Sequence, residues 1–288
     1  MKKAGGKDPR RVGDLLRVGP GPVDLSRYDP AGTPGAPGKR ARTEADVATT
    51  APLVSELQER LYAEGVVGAS RRRLLLVLQG MDTSGKDGTT RHVDSLMNPQ
   101  GLRITSFKAP TKLERRHDFL WRIARAVPEP GFVGIFNRSQ YEDVLIVRVH
   151  SLVPESEWGT RYDRINEFER SLQDDGVHVL KVFLHISREE QQARLLARLD
   201  DPTKHWKYNP GDVDERSFWD QYMAAYTAVL ERCSPAGTPW YLVPADRKWY
   251  RNWAVGRLVL EALQDMAPTY PPADFDVAAE RARVLAST

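Results

Sequence analysis

Cysteine is almost missing from this 288-residue chain. Cys233 stands alone, so no internal disulfide can staple the fold, and a reducing, cytoplasmic setting is the expectation. Long hydrophobic runs are missing too. The longest aliphatic stretch, Leu74 to Leu78, falls far short of the roughly 20 residues that cross a bilayer. Lys2 and Lys3 are followed by Gly and Asp, not by the apolar segment of an export signal, so neither export nor a membrane partner is expected. The histidines lack metal-ligand spacing such as H-E-x-x-H, and the guanine-reading N-K-x-D is absent, which argues against a GTPase switch. Nor is one sign of charge in excess. With 42 Lys and Arg against 39 Asp and Glu the net charge is only +3, which argues against a general nucleic-acid coat, and no nucleic-acid partner is expected.

What charge there is lies unevenly. Residues 1–43 carry ten basic and four acidic groups, leaving a body at −3, so any anion site in the body must come from local placement of cations. Residues 1–40 hold eight Gly and six Pro without periodicity and read as an irregular basic arm, either docked on the body or floating free. The organisation expected is an arm over 1–43, a core domain over 44–271 with a lid at about 194–217, and a tail over 272–288. At 41% hydrophobic residues the body can bury a real core.

Periodicity predicts a helix over Val47 to Tyr62 that stops at Gly65 as a C-cap. The wholly apolar run Leu74 to Leu78 reads as a buried central parallel strand. Four further strands are expected at Arg103 to Phe107, Phe132 to Phe136, His178 to Ile186 and Trp240 to Val243. Capping boxes at Thr111/Glu114 and Ser187/Glu190 open helices that run toward Pro128 and Leu199. Strands alternating with helices specify an α/β fold, a doubly wound parallel sheet of about five strands. The tryptophans, among them Trp121, Trp219, Trp240, Trp249 and Trp253, read as packing residues.

The most specific signal is Gly80-Met81-Asp82-Thr83-Ser84-Gly85-Lys86, which matches G-x-x-x-x-G-K between the central strand and a helix-compatible stretch. In a P-loop of this kind the glycines let backbone N–H groups curl round phosphate, the helix N-terminus adds partial positive charge, and the lysine adds a full one. Gly80, Gly85, Lys86 and Gly88 are therefore phosphate-binding candidates. The residue after Lys86 is Asp87, where a standard loop has Ser or Thr to hold magnesium. Metal binding falls instead to Asp82, whose carboxylate inside a phosphate cradle calls for an intervening cation; the plainer reading of Asp82 is an Asx-turn residue.

A second cluster follows the strand at Phe132 to Phe136: Asn137, Arg138, Glu142 and Asp143. They fall at the edge where open α/β sheets bind ligands, Arg138 suited to clamp phosphate and the carboxylates to hold metal or nucleotide. Taken alone, Arg138 and Glu142 also fit a surface i,i+4 pair. A third cluster, Arg194, Arg198, Lys204, His205, Trp206 and Lys207 before Asn209-Pro210-Gly211-Asp212, reads as a cationic lid with hinges, or alternatively as a solvated basic face and loop. Lys108 follows the second strand and is placed at the same edge.

These motifs together resemble the polyphosphate kinase 2 family of P-loop phosphotransferases. The resemblance runs from about Tyr28 to Pro271 and rests on LQGMDTSGKDG, SFKAPT, HDFLWR, GIFNRSQYEDVL and RLDDPTKHWKYNPGD in that order. It implies a thymidylate-kinase-like P-loop kinase fold with a helical lid, and magnesium-dependent, reversible transfer of the terminal phosphoryl of polyphosphate to a nucleoside mono- or diphosphate. Manganese would substitute for magnesium. Carried onto this chain, Lys86 and Arg138 would stabilise the transferred phosphoryl, Asp82 would ligate or orient the metal, and Asn137, Glu142 and Asp143 would position nucleotide and metal. Arg194, Arg198, Lys204 and Lys207 would reach in from the lid. Asn137 stands where many members have Asp, and the NRSxYED form resembles the subgroup that acts on both AMP and ADP. A dimer or tetramer is implied. The alternatives carried beside it are an ATP-dependent nucleoside monophosphate kinase and a non-catalytic polyphosphate- or nucleotide-binding regulator.

Overall fold

The computed structural model describes residues 11–287. In chain order the elements are α1 (Val12–Leu16), α2 (Arg40–Val66), β1 (Arg73–Gln79), α3 (Lys86–Asp94), β2 (Leu102–Ser106), α4 (Trp121–Ala124), β3 (Val133–Asn137), α5 (Ile146–Val149), α6 (Glu155–Asp174), β4 (Val177–His185), α7 (Arg188–Leu199), α8 (Gly211–Arg216), α9 (Trp219–Arg232), β5 (Trp240–Pro244), α10 (Lys248–Met266) and α11 (Val277–Ala286). All five strands are parallel, in the order β2-β3-β1-β4-β5. β1 is central and buried along its whole length, as a strand covered on both faces requires. Register brings the strand ends level: Leu78 and Ser106 both pair with Asn137, Gln79 with Phe183, and His185 with Pro244. The chain steps from β1 outward to β2, returns through β3, and then crosses to β4 on the other side. That reversal opens a crevice at the carboxyl ends.

The two faces of the sheet are read from β4. Lys181 reaches Glu169 of α6 and Phe183 stacks on Tyr226 of α9 at 4.5 Å, so α6 and α9 cover one face. On the other side α10, buried along most of its length, packs between the sheet, α2 and α3.

Three local expectations are corrected. The helix expected over Val47 to Tyr62 spans Arg40–Val66, and Gly65 lies inside it. A Cβ on Gly65 would sit 2.4 Å from the Pro130 carbonyl oxygen, so this glycine serves close backbone approach, not termination. The capping box at Thr111 forms, with Thr111 N–H donating to Glu114 and Glu114 N–H to Thr111 Oγ1, but it caps only one turn. Asp118 then accepts from Leu120 N–H (3.0 Å), which offers the backbone an alternative to helix, and α4 is a separate four-residue piece. The arm, lastly, is not irregular throughout. Backbone N–H groups of Val12 and Gly13 donate to the buried Glu261 carboxylate (2.8 and 2.9 Å), which caps α1 from outside. Arg17 bridges to Tyr241, and Val18 N–H donates to the Trp240 carbonyl, so this stretch covers the open edge of β5. The basic residues Lys2, Lys3, Lys7 and Arg10 of the expected arm lie outside the described residues.

One buried polar knot holds the layers together. Lys181, fully buried in β4, donates to Glu169 (2.6 Å), the Cys233 carbonyl (2.7 Å) and the Tyr141 hydroxyl (3.0 Å). Glu169 also accepts from Tyr141 and Gln140, which ties α6 to the segment that follows β3. Each ammonium proton has a partner, so removing one charge strands the other. Lys181→Met is expected to lower the unfolding free energy by about 3–5 kcal/mol, the cost of an orphaned buried charge, read from the midpoint of urea denaturation.

Candidate functional site

All five strands deliver cations to one cleft of about 740 Å³ at their carboxyl ends. Lys86 follows β1, Lys108 follows β2, Arg138 follows β3, Arg194 and Arg198 follow β4 on α7, and Lys248 and Arg251 follow β5 on α10. With Lys204 and Lys207, nine cations line a cleft that holds three carboxylates, Asp82, Asp87 and Asp212.

The loop from Gly80 to Gly85 shows why its sequence is glycine-rich. Gly80 (φ +151°) and Gly85 (φ +106°) occupy backbone conformations that side chains rarely adopt. A Cβ at Gly85 would lie 1.7 Å from an Arg251 nitrogen, and one at Gly80 would lie 2.7 Å from the Leu184 carbonyl oxygen. Five successive carbonyls are occupied by side chains. Lys86 Nζ donates to Gly80 O (2.6 Å) and Met81 O (3.1 Å). Gln191 donates to Asp82 O (3.0 Å), and Arg194 donates to Thr83 O (2.9 Å) and Ser84 O (3.1 Å). Arg251 adds a longer bond to Ser84 O (3.3 Å).

Burial and the adjacent Arg138 push the Lys86 ammonium below its usual pKa, against the opposing pull of Asp82, Glu142 and Asp87. Arg138, at a left-handed φ of +66°, donates to Asp82 Oδ1 (2.7 Å) and lies 3.9 Å from Glu142. Glu142 foremost, with Asp82, raises its pKa further above the normal guanidinium value. Asn137 donates to Asp87 Oδ1 (2.7 Å), so the acid that replaces Ser or Thr after Lys86 joins α3 to the end of β3. Asp87 therefore belongs to the cleft, which its departure from the usual loop pattern did not by itself reveal.

The expected site residues do not all share the cleft. Asp82, Gly85, Lys86, Gly88, Lys108, Asn137, Arg138, Arg194, Arg198, Lys204 and Lys207 line it. Gly80 shapes the loop from behind. Glu142 and Asp143 sit outside the lining: Glu142 backs Arg138, and Asp143 pairs with Arg161 of α6 (2.8 Å). Burial pushes the Asp143 carboxyl up to about 6 despite Arg161 and Arg122. Arg194 differs from a lid cation most plainly. Only 8% exposed, it donates to Thr83, Ser84, Ala245 and Asp246 carbonyls and pairs with Glu190, so its guanidinium is a strut between the loop, α7 and the turn after β5.

In the segment expected as a lid, Arg198 holds the Lys207 carbonyl and Asp212, Lys204 pairs with Asp201, and Lys207 lies over the exposed Trp206 ring at 4.8 Å. Burial first, then the nearby Asp82, raises the Asp212 pKa. Lys248 and Arg251 were not anticipated. The signal for them is the same as after the other four strands, a cluster of cations just past a strand's carboxyl end: Arg247, Lys248 and Arg251 follow β5.

Among the described residues no group of three or more His, Cys, Asp or Glu is arranged to hold a metal ion by itself. Two carboxylates, Asp82 and Asp87, line the cleft beside Lys86 and Arg138. That donor set fits a hard cation such as magnesium, which takes one or two carboxylates and completes its shell with water and substrate phosphate.

Comparison with known proteins agrees with this geometry. A family model described as polyphosphate kinase 2 matches residues 39–271. An AMP/ADP-polyphosphate phosphotransferase of Meiothermus ruber is 48% identical over 257 residues, covering 88% of this chain and 94% of that protein. An ADP-polyphosphate phosphotransferase of Rhodopseudomonas palustris is 42% identical over 269 residues, covering 89% and 91%. The crystal structure of polyphosphate kinase 2 from Arthrobacter aurescens TC1 superposes with a TM-score of 0.94 at 50% identity, covering 98% of this chain and 99% of that one.

Because a side chain at Gly85 would collide with a buried guanidinium in a left-handed conformation, Gly85→Ala is expected to deform the loop while the sheet stays folded. Inorganic tripolyphosphate should raise the melting temperature of the parent protein and leave that of Gly85→Ala unmoved, with unchanged far-UV circular dichroism.

Proposed function

We propose that this chain, which belongs to the polyphosphate kinase 2 family, transfers the terminal phosphoryl group of inorganic polyphosphate to a nucleoside mono- or diphosphate, AMP or ADP. The carrying observation is the convergence of nine cations on one cleft around a P-loop, against three carboxylates. Its excess of positive charge suits a donor made of phosphate alone. The names of the Meiothermus and Rhodopseudomonas relatives support the same donor and the two acceptors.

Phosphoryl transfer asks little covalent chemistry of a protein. An anionic oxygen of the acceptor phosphate attacks the terminal phosphorus, the P–O bond to the chain breaks, and the donor leaves one phosphate shorter. The acceptor oxygen is already deprotonated near neutral pH, so no general base is needed and the transfer is in line, without a phosphoenzyme. Lys86 and Arg138 place charge where the equatorial oxygens gain it, and backbone N–H groups at the start of α3 add partial charge from below. Asn137 and Asp87 orient the acceptor. Glu142 acts through Arg138, while Asp143 acts through Arg161 on the segment after β3. Asp82 and Asp87 would hold magnesium, or manganese in its place, which when bound neutralises charge on the phosphates. Arg198, Lys204 and Lys207 meet the donor from above, and Arg194 supports the loop. A cytoplasmic, homo-oligomeric enzyme is part of this reading.

An ATP-dependent nucleoside monophosphate kinase would share the P-loop, and a binding-only regulator would share the charge. A matrix of AMP, ADP, GMP and GDP against polyphosphate or ATP, with magnesium, separates them: growth of product with polyphosphate is expected, and growth only with ATP would defeat the proposal. Lys86→Ala should lower turnover by about 10²–10³-fold, the cost of losing one transition-state cation, while far-UV circular dichroism shows the sheet still folded. EDTA should stop transfer, and added magnesium or manganese should restore it.

A further inference from the structure

We infer that two copies of this chain pair through β2, edge to edge about a two-fold axis at Ile104, an inference that rests on the homo-oligomeric part of the reading above and gives it an interface. The sheet has two outer strands, and the fold treats them differently. Along β5 the bridge from Arg17 to Tyr241 and the bond from Val18 N–H to the Trp240 carbonyl cover the edge. β2 is bonded to β3 alone among the described strands, and only Leu102 of its residues is buried. Ile104 stands 47% exposed, whereas β1 and β3 are buried throughout. The usual guards of an open edge are missing: β2 holds no proline, and its register with β3 is unbroken. Its one charge, Arg103, is drawn onto Glu129 and the Phe132 ring.

The backbone fixes which groups this edge offers. Phe107 N–H donates to the Asn137 carbonyl, so by strand alternation Arg103 and Thr105 face β3, while Leu102, Ile104 and Ser106 turn their N–H and C=O groups away from it. Leu102 N–H is used by the Pro99 carbonyl. That leaves the N–H groups of Ile104 and Ser106, and the carbonyls of all three residues, without a partner among the described residues. This set is complementary to itself. With the strands antiparallel and Ile104 opposite its own copy, the two Ile104 residues exchange both of their bonds, and Ser106 N–H of each chain meets the Leu102 carbonyl of the other. The Ile104 side chains then cover each other on one face of the sheet. On the other face Arg103 lies opposite Thr105, so no like charges meet. The basic stretch after β2, with Lys108 and Lys112, runs past the uncharged Asn98-Pro99-Gln100-Gly101 turn of the second copy. Both halves of the fit come from one strand, which favours a second copy over an unrelated chain.

Ile104→Pro removes the exchanged N–H and takes no bond from the sheet, since an edge strand tolerates proline where its N–H faces outward. Light scattering after size exclusion is expected to show the mass of the parent fall by half in Ile104→Pro, with far-UV circular dichroism unchanged. Ile104→Cys tests the register without disturbing the backbone. Directly opposed residues that exchange both bonds have Cα atoms about 5.5 Å apart, within disulfide range, and the one native thiol, Cys233, is buried. Mild oxidation should therefore give a dimer band on a non-reducing gel with Ile104→Cys, and none with Leu196→Cys, which is 52% exposed on α7. An undiminished mass in Ile104→Pro, or cross-linking of Ile104→Cys no greater than that of Leu196→Cys, overturns the β2 interface while leaving the oligomer intact. A parent protein of monomer mass would instead remove the homo-oligomeric reading, and the interface with it.

Discussion

The arrangement depends on five consecutive peptide carbonyls, Gly80 to Ser84, each held by a side-chain donor. A peptide whose carbonyl is fixed on one side presents its N–H on the other, so Lys86, Gln191 and Arg194 set the orientation of the phosphate cradle from its reverse face. The same bonds solve a second problem. Lys86, Arg194 and Arg251 are all buried, and after burial itself Arg138 lowers the pKa of Lys86 and Arg194 that of Arg251, as neighbouring cations do by repulsion. Carboxylates would relieve that repulsion but would also neutralise the cleft. Carbonyl dipoles relieve part of it and leave the full positive charge available to an anion.

Partial satisfaction by dipoles also explains how a body with a slight net negative charge can carry a site for polyanions. Net charge sums over the whole surface, and screening confines each exposed charge to its surroundings within about 10 Å. Cations brought together by five strand ends act over that range, whatever the remaining surface carries. The basic count of the N-terminal arm is thus no guide to the site. Two of its described cations are spent on structure, Arg11 on Asp265 and Glu261, and Arg17 on the Ala236 carbonyl.

How much of this was legible in the sequence follows from the range of the forces involved. The strands were readable to within a residue at most boundaries because an apolar run is a local pattern, and the P-loop because its glycines answer a local demand for left-handed backbone. Residues reached by the strand ends could be grouped by topology. What could not be read is the direction of a long side chain once it leaves the backbone. Arg194 and Arg198 share a helix, one residue type and a place in the cleft wall, yet the first spends its donors on the loop carbonyls and the second on the Lys207 carbonyl and Asp212. Asp143 follows Glu142 in a polar run, but its burial depends on Arg161, contributed by a helix further along the chain. Gly65 looked like a helix stop because the backbone it approaches, at Pro130 and Gly131, is distant in sequence.

Asp87 and Asn137 meet the same constraint without a cation. They stand 2.7 Å apart across the gap between α3 and β3, joined by an amide donor and a carboxylate acceptor. Two carboxylates at that distance could not both stay ionised without a cation between them. With an amide as one partner, the pair keeps a single negative charge and holds its geometry without one. Asp82 is steadied in a different way, by Arg138. Each carboxylate beside Lys86 is therefore oriented by a donor of the protein before any ligand arrives, so reorganisation on binding is small. Preorganisation of this kind matters most for a reaction in which positioned charge supplies nearly all of the rate enhancement.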